Sequence, residues 1–213
     1  MTMQLGVNTW ILIGVMFFEV FFIILPALIF SKLKKKLFLD EIHEMGFYRN
    51  EKMALKLISG VIFGILLFFL SNFIIILFRD LIIRNLFGDE FVELAHQGAI
   101  SSNPIQPNPI QLFILIILQL LIIGPCEEAF FRGFLVKKLK IKFKITFSIL
   151  ISSIIFTFYH VPPLLVPIST ILTFSGYYFI LGLLLSLIFV YFDYSIIPGS
   201  IAHTFFNILL ILI

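Results

Sequence analysis

Apolar residues arrive in long runs, neither alternating nor striped, and this predicts membrane-spanning helices along the chain. Residues 10–30 form the first run, long enough to cross a hydrocarbon core of about 30 Å. Residues 57–78 form the second, about 111–136 the third and about 145–161 the fourth. Residues 164–192 are too many for one untilted span at about 1.5 Å per residue. Pro167 and Gly176 therefore predict a short lead-in helix followed by a span. A tight turn over residues 193–199 leads into a final span from Ile201 to Ile213. The pattern gives about six crossings in an all-α, polytopic bundle of about six to eight helices, with residues 1–213 forming a single membrane domain.

The polar positions between these runs set the orientation. Lys32, Lys34, Lys35 and Lys36 follow the first span, and Lys137, Lys138, Lys140, Lys142 and Lys144 follow the third. Both clusters place their ends in the cytoplasm by the positive-inside rule, with both termini outside. The N-terminal stretch MTMQLGVNT has no basic region, and no small-residue cleavage pattern follows the first run, so a retained span is expected. Residues 37–56 mix Phe38, Ile42, Phe47 and Leu55 with charges and suit an interfacial helix or short loop. His43-Glu44 opens like a zinc-binding HExxH, but the second histidine would fall at Phe47, so the metal pair is missing. Residues 79–111 are the longest polar section, read as a partly ordered external loop whose prolines oppose a continuing helix.

Composition narrows the class. Hydrophobic residues make up 61% and charged residues only 13%, about half the charge of an ordinary soluble domain. A multi-pass protein of the cell membrane is the reading that fits. The net charge of +3 resides in loop lysines, with no soluble domain to present a basic face, so nucleic acid is excluded as a partner. A single cysteine, Cys126, excludes an intrachain disulfide framework.

A few polar residues stand where lipid should exclude them, and such residues usually face protein or water and mark function. Glu127 and Glu128 follow the charge-free run 112–123. Glu128 and Arg132 are i,i+4 neighbours and can pair, while Glu127 points about 100° away around the helix and stays available. His160 ends the fourth span, one turn after Phe156; His203 and Asn207 share one face of the last. Glu19, in the first span, is expected to be buried against a polar partner.

These residues make three motifs in order: Glu127-Glu128-Ala-Phe-Phe-Arg132, Phe156-Thr-Phe-Tyr-His160 and His203-Thr-Phe-Phe-Asn207. Together they resemble the EExxxR, FxxxH and HxxxN motifs of the CPBP (Abi) family, which includes the type II CAAX prenyl endopeptidases. The resemblance covers about residues 111–210, which would be the catalytic core, with the active site between helices. It implies an intramembrane endopeptidase in which Glu127 and His160 position and deprotonate a water. His203 and Asn207 would then stabilise the oxyanion, and Arg132 would hold Glu128 in support. No cofactor is implied. The partners would be the bilayer and a peptide or lipidated protein substrate, such as a CAAX tail.

Other readings draw on the same residues. Glu127, His160 and His203 could make a three-ligand zinc site, giving a zinc-dependent intramembrane protease. A cysteine protease centred on Cys126 has no use for two adjacent glutamates. A non-enzymatic membrane immunity or binding protein would use the polar cluster as interhelical glue, and a transporter would use the acids as a proton relay. At Pro125, the missing N–H predicts local unwinding that would admit water.

Overall fold

A computed structural model describes residues 9–47, 52–98 and 107–213. Helices are the regular structure among its described residues, with no strand. Four long apolar helices are α1 (Thr9–Lys34), α3 (Met53–Phe87), α5 (Pro109–Lys140) and α7 (Ile168–Tyr191). Two shorter apolar helices, α6 (Ile145–His160) and α8 (Ile196–Leu212), complete the bundle. The polar helices α2 (Phe38–Glu44) and α4 (Asp89–Gly98) lie between spans. Large side chains such as Phe69, Phe73, Leu121 and Leu187 remain exposed. In water such a continuous apolar surface would aggregate; here it is the face of a multi-pass integral membrane protein turned to lipid.

Helix boundaries follow local chemistry. Asn108 caps α5 by accepting from the Gln111 N–H at 2.9 Å, and the Gln111 side chain accepts from the Asn108 N–H at 3.0 Å. Pro109 takes the first helical position, where its missing N–H costs nothing. So this proline begins the third span; residues 99–106 before it lie outside the described residues. The polar section from residue 79 differs from the expected loop. Helix α3 continues to Phe87, with its charges partnered: Arg79 and Arg84 pair with Asp80 at 2.8 and 3.1 Å, and Arg84 also reaches Asp89 at 3.2 Å. Helix α4 then buries Val92 and Ala95, and Thr170 Oγ1 of α7 donates to the Ala95 carbonyl at 2.8 Å.

The lead-in helix expected before residue 168 is absent. Residues 161–167 form turns and loop, and α7 is one continuous helix in which Gly176 packs against Phe78. Gly176 serves contact between helices and breaks nothing.

The last span is held by glycines. A Cβ on Gly60 would lie 2.6 Å from Ile201 Cβ, and one on Gly64 would lie 2.6 Å from Phe205 Cβ and 2.8 Å from the Ala202 carbonyl. This small-xxx-small face lets α3 approach α8 on both sides of His203. Gly64→Leu is expected to overpack that contact and cost about 1–3 kcal/mol. The thermal midpoint in detergent should drop, whereas Gly14→Leu, where a Cβ meets nothing within 4 Å, leaves it unchanged.

The two basic clusters meet at one end of the bundle, as the charge pattern requires. Lys34 and Lys138 reach Glu41 at 2.6 and 3.0 Å, and Lys36 reaches Glu44 at 2.5 Å. Helix α2 thus straps α1 to α5. Glu44, the acid of the incomplete HExxH, is held down to about 2, first by the Lys36 hydrogen bond. Burial of Glu41 would raise its carboxyl, but hydrogen bonds from Lys34 and Lys138 outweigh it and bring it below the ordinary range.

Candidate active site

The acidic pair sits in a five-residue α-helical stretch, Gly124–Glu128, between two π-helical stretches, Gln119–Ile123 and Ala129–Val136. The unwinding expected at Pro125 does not occur: the helix stays continuous and its wide turns lie on either side. Short π-helical stretches inside α-helices are frequent at functional sites.

Glu128 and Arg132 are both fully buried and pair at 2.8 Å, Arg132 Nη1 donating to Glu128 Oε1. Arg132 Nη2 donates to the Gly182 carbonyl of α7 at 3.1 Å, and the guanidinium lies over the Phe156 ring at 4.5 Å. Glu128 Oε1 also faces His203 Nδ1 at 3.1 Å. One carboxylate therefore joins α5 and α8, and its arginine reaches α6 and α7.

Glu127 faces the other way. Its Oε2 has no hydrogen-bond partner among the described residues, yet His160 Nε2 and His203 Nε2 each lie 3.9 Å from it. His160 Nδ1 is 3.0 Å from the Phe156 carbonyl. A carbonyl only accepts, so Nδ1 carries the proton, and in the neutral ring Nε2 is the bare nitrogen facing Glu127. Phe156, the first residue of its motif, therefore contributes a carbonyl as well as a ring, packed 4.3 Å from the imidazole. Tyr178 stacks on His160 at 4.6 Å.

A cavity of about 150 Å³ opens beside these groups. His160, His203 and Asn207 line it together with Leu67, Tyr178 and Leu210. Glu127 is not among the lining residues and meets the cavity residues through its oxygen's approach to the two histidines. Asn207 Nδ2 donates to Gln119 Oε1 at 2.9 Å. Outside this group, the Tyr159 hydroxyl donates to the Glu19 carboxylate, the polar partner expected for that acid. Cys126 is buried beside Glu127 as a free thiol.

All seven motif residues thus come from three helices to one cluster. Gln119 and Tyr178 belong beside them and were not singled out by the sequence. Gln119 is uncharged, and the run 112–123 was notable for lacking charge; an amide eight residues before Glu127 was the available signal. Among the described residues, no group of three or more His, Cys, Asp or Glu side chains is gathered closely enough to hold a metal ion.

In a multi-pass helical protein, a buried carboxylate–histidine cluster of this kind marks a functional site. Residues 109–209 match the family model described as type II CAAX prenyl endopeptidase Rce1-like. Over those residues the chain has the CAAX-protease/Abi-type intramembrane protease fold, which is that of a membrane peptidase. No curated protein and no solved structure matches the chain.

Proposed function

We propose that the cluster hydrolyses a peptide bond with a water activated by Glu127 and His160, and that a prenylated CAAX tail is the substrate class. The observation that carries this reading is the approach of two imidazole Nε2 atoms to one otherwise unpartnered carboxylate oxygen, each at 3.9 Å. Atoms at that spacing can both reach one water oxygen at ordinary hydrogen-bond length. The water gives a proton to Glu127 as its oxygen attacks the carbonyl carbon, while His160 orients it through the bare Nε2. Asn207 and His203 donate to the oxyanion. Because His203 Nδ1–H is committed to Glu128, the ring carries both protons while Nε2 donates. Before attack Glu127 and Glu128 balance Arg132 and His203; once Glu127 holds the proton, the oxyanion carries the charge that Glu127 has lost. When the carbon–nitrogen bond breaks, the Glu127 proton passes to the leaving amine.

The test is cleavage of a fluorogenic peptide ending in a prenylated CAAX tail by protein reconstituted in liposomes, beside the same peptide without the lipid. Cleavage of the prenylated peptide that survives a zinc chelator is the expected result. Loss of activity on chelation, restored by zinc, would replace the water–carboxylate mechanism with a metal one. Failure to cleave either peptide would overturn the substrate class.

A further inference from the structure

Gln119 is buried at 5% exposure in the π-helical stretch just before the acidic pair. It offers two acceptors to α8. Its backbone carbonyl takes the Thr204 hydroxyl at 2.9 Å, and its side-chain oxygen takes Asn207 Nδ2 at 2.9 Å. Thr204 and Asn207 are three residues apart on α8 and face the same neighbour. The wide turn pairs the Gln119 carbonyl with the Gly124 N–H. Gly124 itself leaves room for Thr204, since a Cβ there would lie 2.2 Å from Thr204 Oγ1.

We propose that Gln119 is a positioning residue of this enzyme, holding the Asn207 amide so that nitrogen and not oxygen faces the developing oxyanion. This rests on the oxyanion role proposed for Asn207. The torsion of a terminal amide is broad and roughly two-fold, so the backbone of α8 does not choose between the two faces. An amide turned over presents a lone pair to an oxyanion and opposes it. Gln119 Oε1 can bond only the nitrogen end, which leaves the second N–H of Asn207 for the cavity that Asn207 lines. The backbone bond to Thr204 survives any substitution at residue 119, so the side chain's contribution can be removed alone.

Gln119→Leu keeps the bulk and removes the acceptor. On the prenylated CAAX peptide its kcat is expected to fall about 10–100-fold with KM little changed, the mark of an interaction used in the transition state. In an Asn207→Ala background the same substitution should change kcat less than about two-fold, because the group it orients is gone. Thr204→Val loosens the same two helices without touching the amide, and should lower thermal stability while leaving kcat within a few-fold. Gln119→Met carries the same expectation where the leucine variant fails to fold. An equal kcat loss in both backgrounds, or none in either, overturns the positioning role. Wild-type turnover by Asn207→Ala overturns the oxyanion reading beneath it, a separate outcome. Independently of turnover, experimental structures should show the Asn207 amide in one orientation in wild type and displaced or turned over in Gln119→Leu; an unmoved amide overturns the proposal.

Discussion

Glu127→Gln is expected to cut turnover about 10²–10⁴-fold while leaving the helices in place, because it keeps size and shape and removes the proton acceptor. The glutamine can still bond a water, so substrate binding should change little and the loss should fall in kcat. Cys126 supplies the control from the adjacent position. Its thiol is buried, and Cys126→Ala removes one sulfur in a stretch where alanine is a good helix former. Activity should stay within a few-fold of wild type. Steady-state kinetics on one substrate must therefore separate the two variants by about two orders of magnitude. A dead Cys126→Ala beside an active Glu127→Gln would replace the activated water with a thiol nucleophile.

The motif residues were legible because charge inside an apolar run is improbable without a use. Glu127, Glu128 and Arg132 announce themselves, and the i,i+4 spacing of Glu128 and Arg132 anticipates the 2.8 Å pair. What the spacing could not give is the arrangement across helices. That Glu128 also meets His203, and that Phe156 fixes the tautomer of His160 through its carbonyl, depends on how α5, α6 and α8 cross. Gln119 stayed hidden because an amide among leucines and isoleucines carries no charge, and its importance lies wholly in a partner 88 positions away.

Glycine and proline misled for a related reason. Gly176 read as a helix breaker in the run 164–192, but packing against Phe78 outweighs its weak helix propensity of about 1 kcal/mol. Pro125 read as a point of unwinding, yet wide turns before and after it keep the helix unbroken. Helix α4 was masked by Asp89, Glu90 and Glu93, although Val92 and Ala95 already mark one buried face at helical spacing. For Gly176 a contact with a distant segment outweighed local propensity.

Arg132→Leu is expected to have the largest effect on stability. Arg132 is fully buried, and its guanidinium satisfies Glu128 Oε1 at 2.8 Å and the Gly182 carbonyl at 3.1 Å while resting on the Phe156 ring. Removing it leaves a buried carboxylate with only His203 to face, a loss of about 3–5 kcal/mol for breaking one partner of a buried pair. Arg132→Lys should recover only part, because a single ammonium lacks the planar fork that serves a carboxylate and a carbonyl together. The double variant Glu128→Leu/Arg132→Leu removes both charges at once and should be more stable than Arg132→Leu alone, despite carrying one more substitution. It should nevertheless stay inactive, since His203 loses the carboxylate that holds its Nδ1–H. Thermal unfolding in detergent would then recover in the double variant while turnover on the same preparations stays lost. A single Arg132→Leu variant as stable as wild type would show that the pair contributes little to the fold and that the strap between α5, α6 and α7 lies elsewhere.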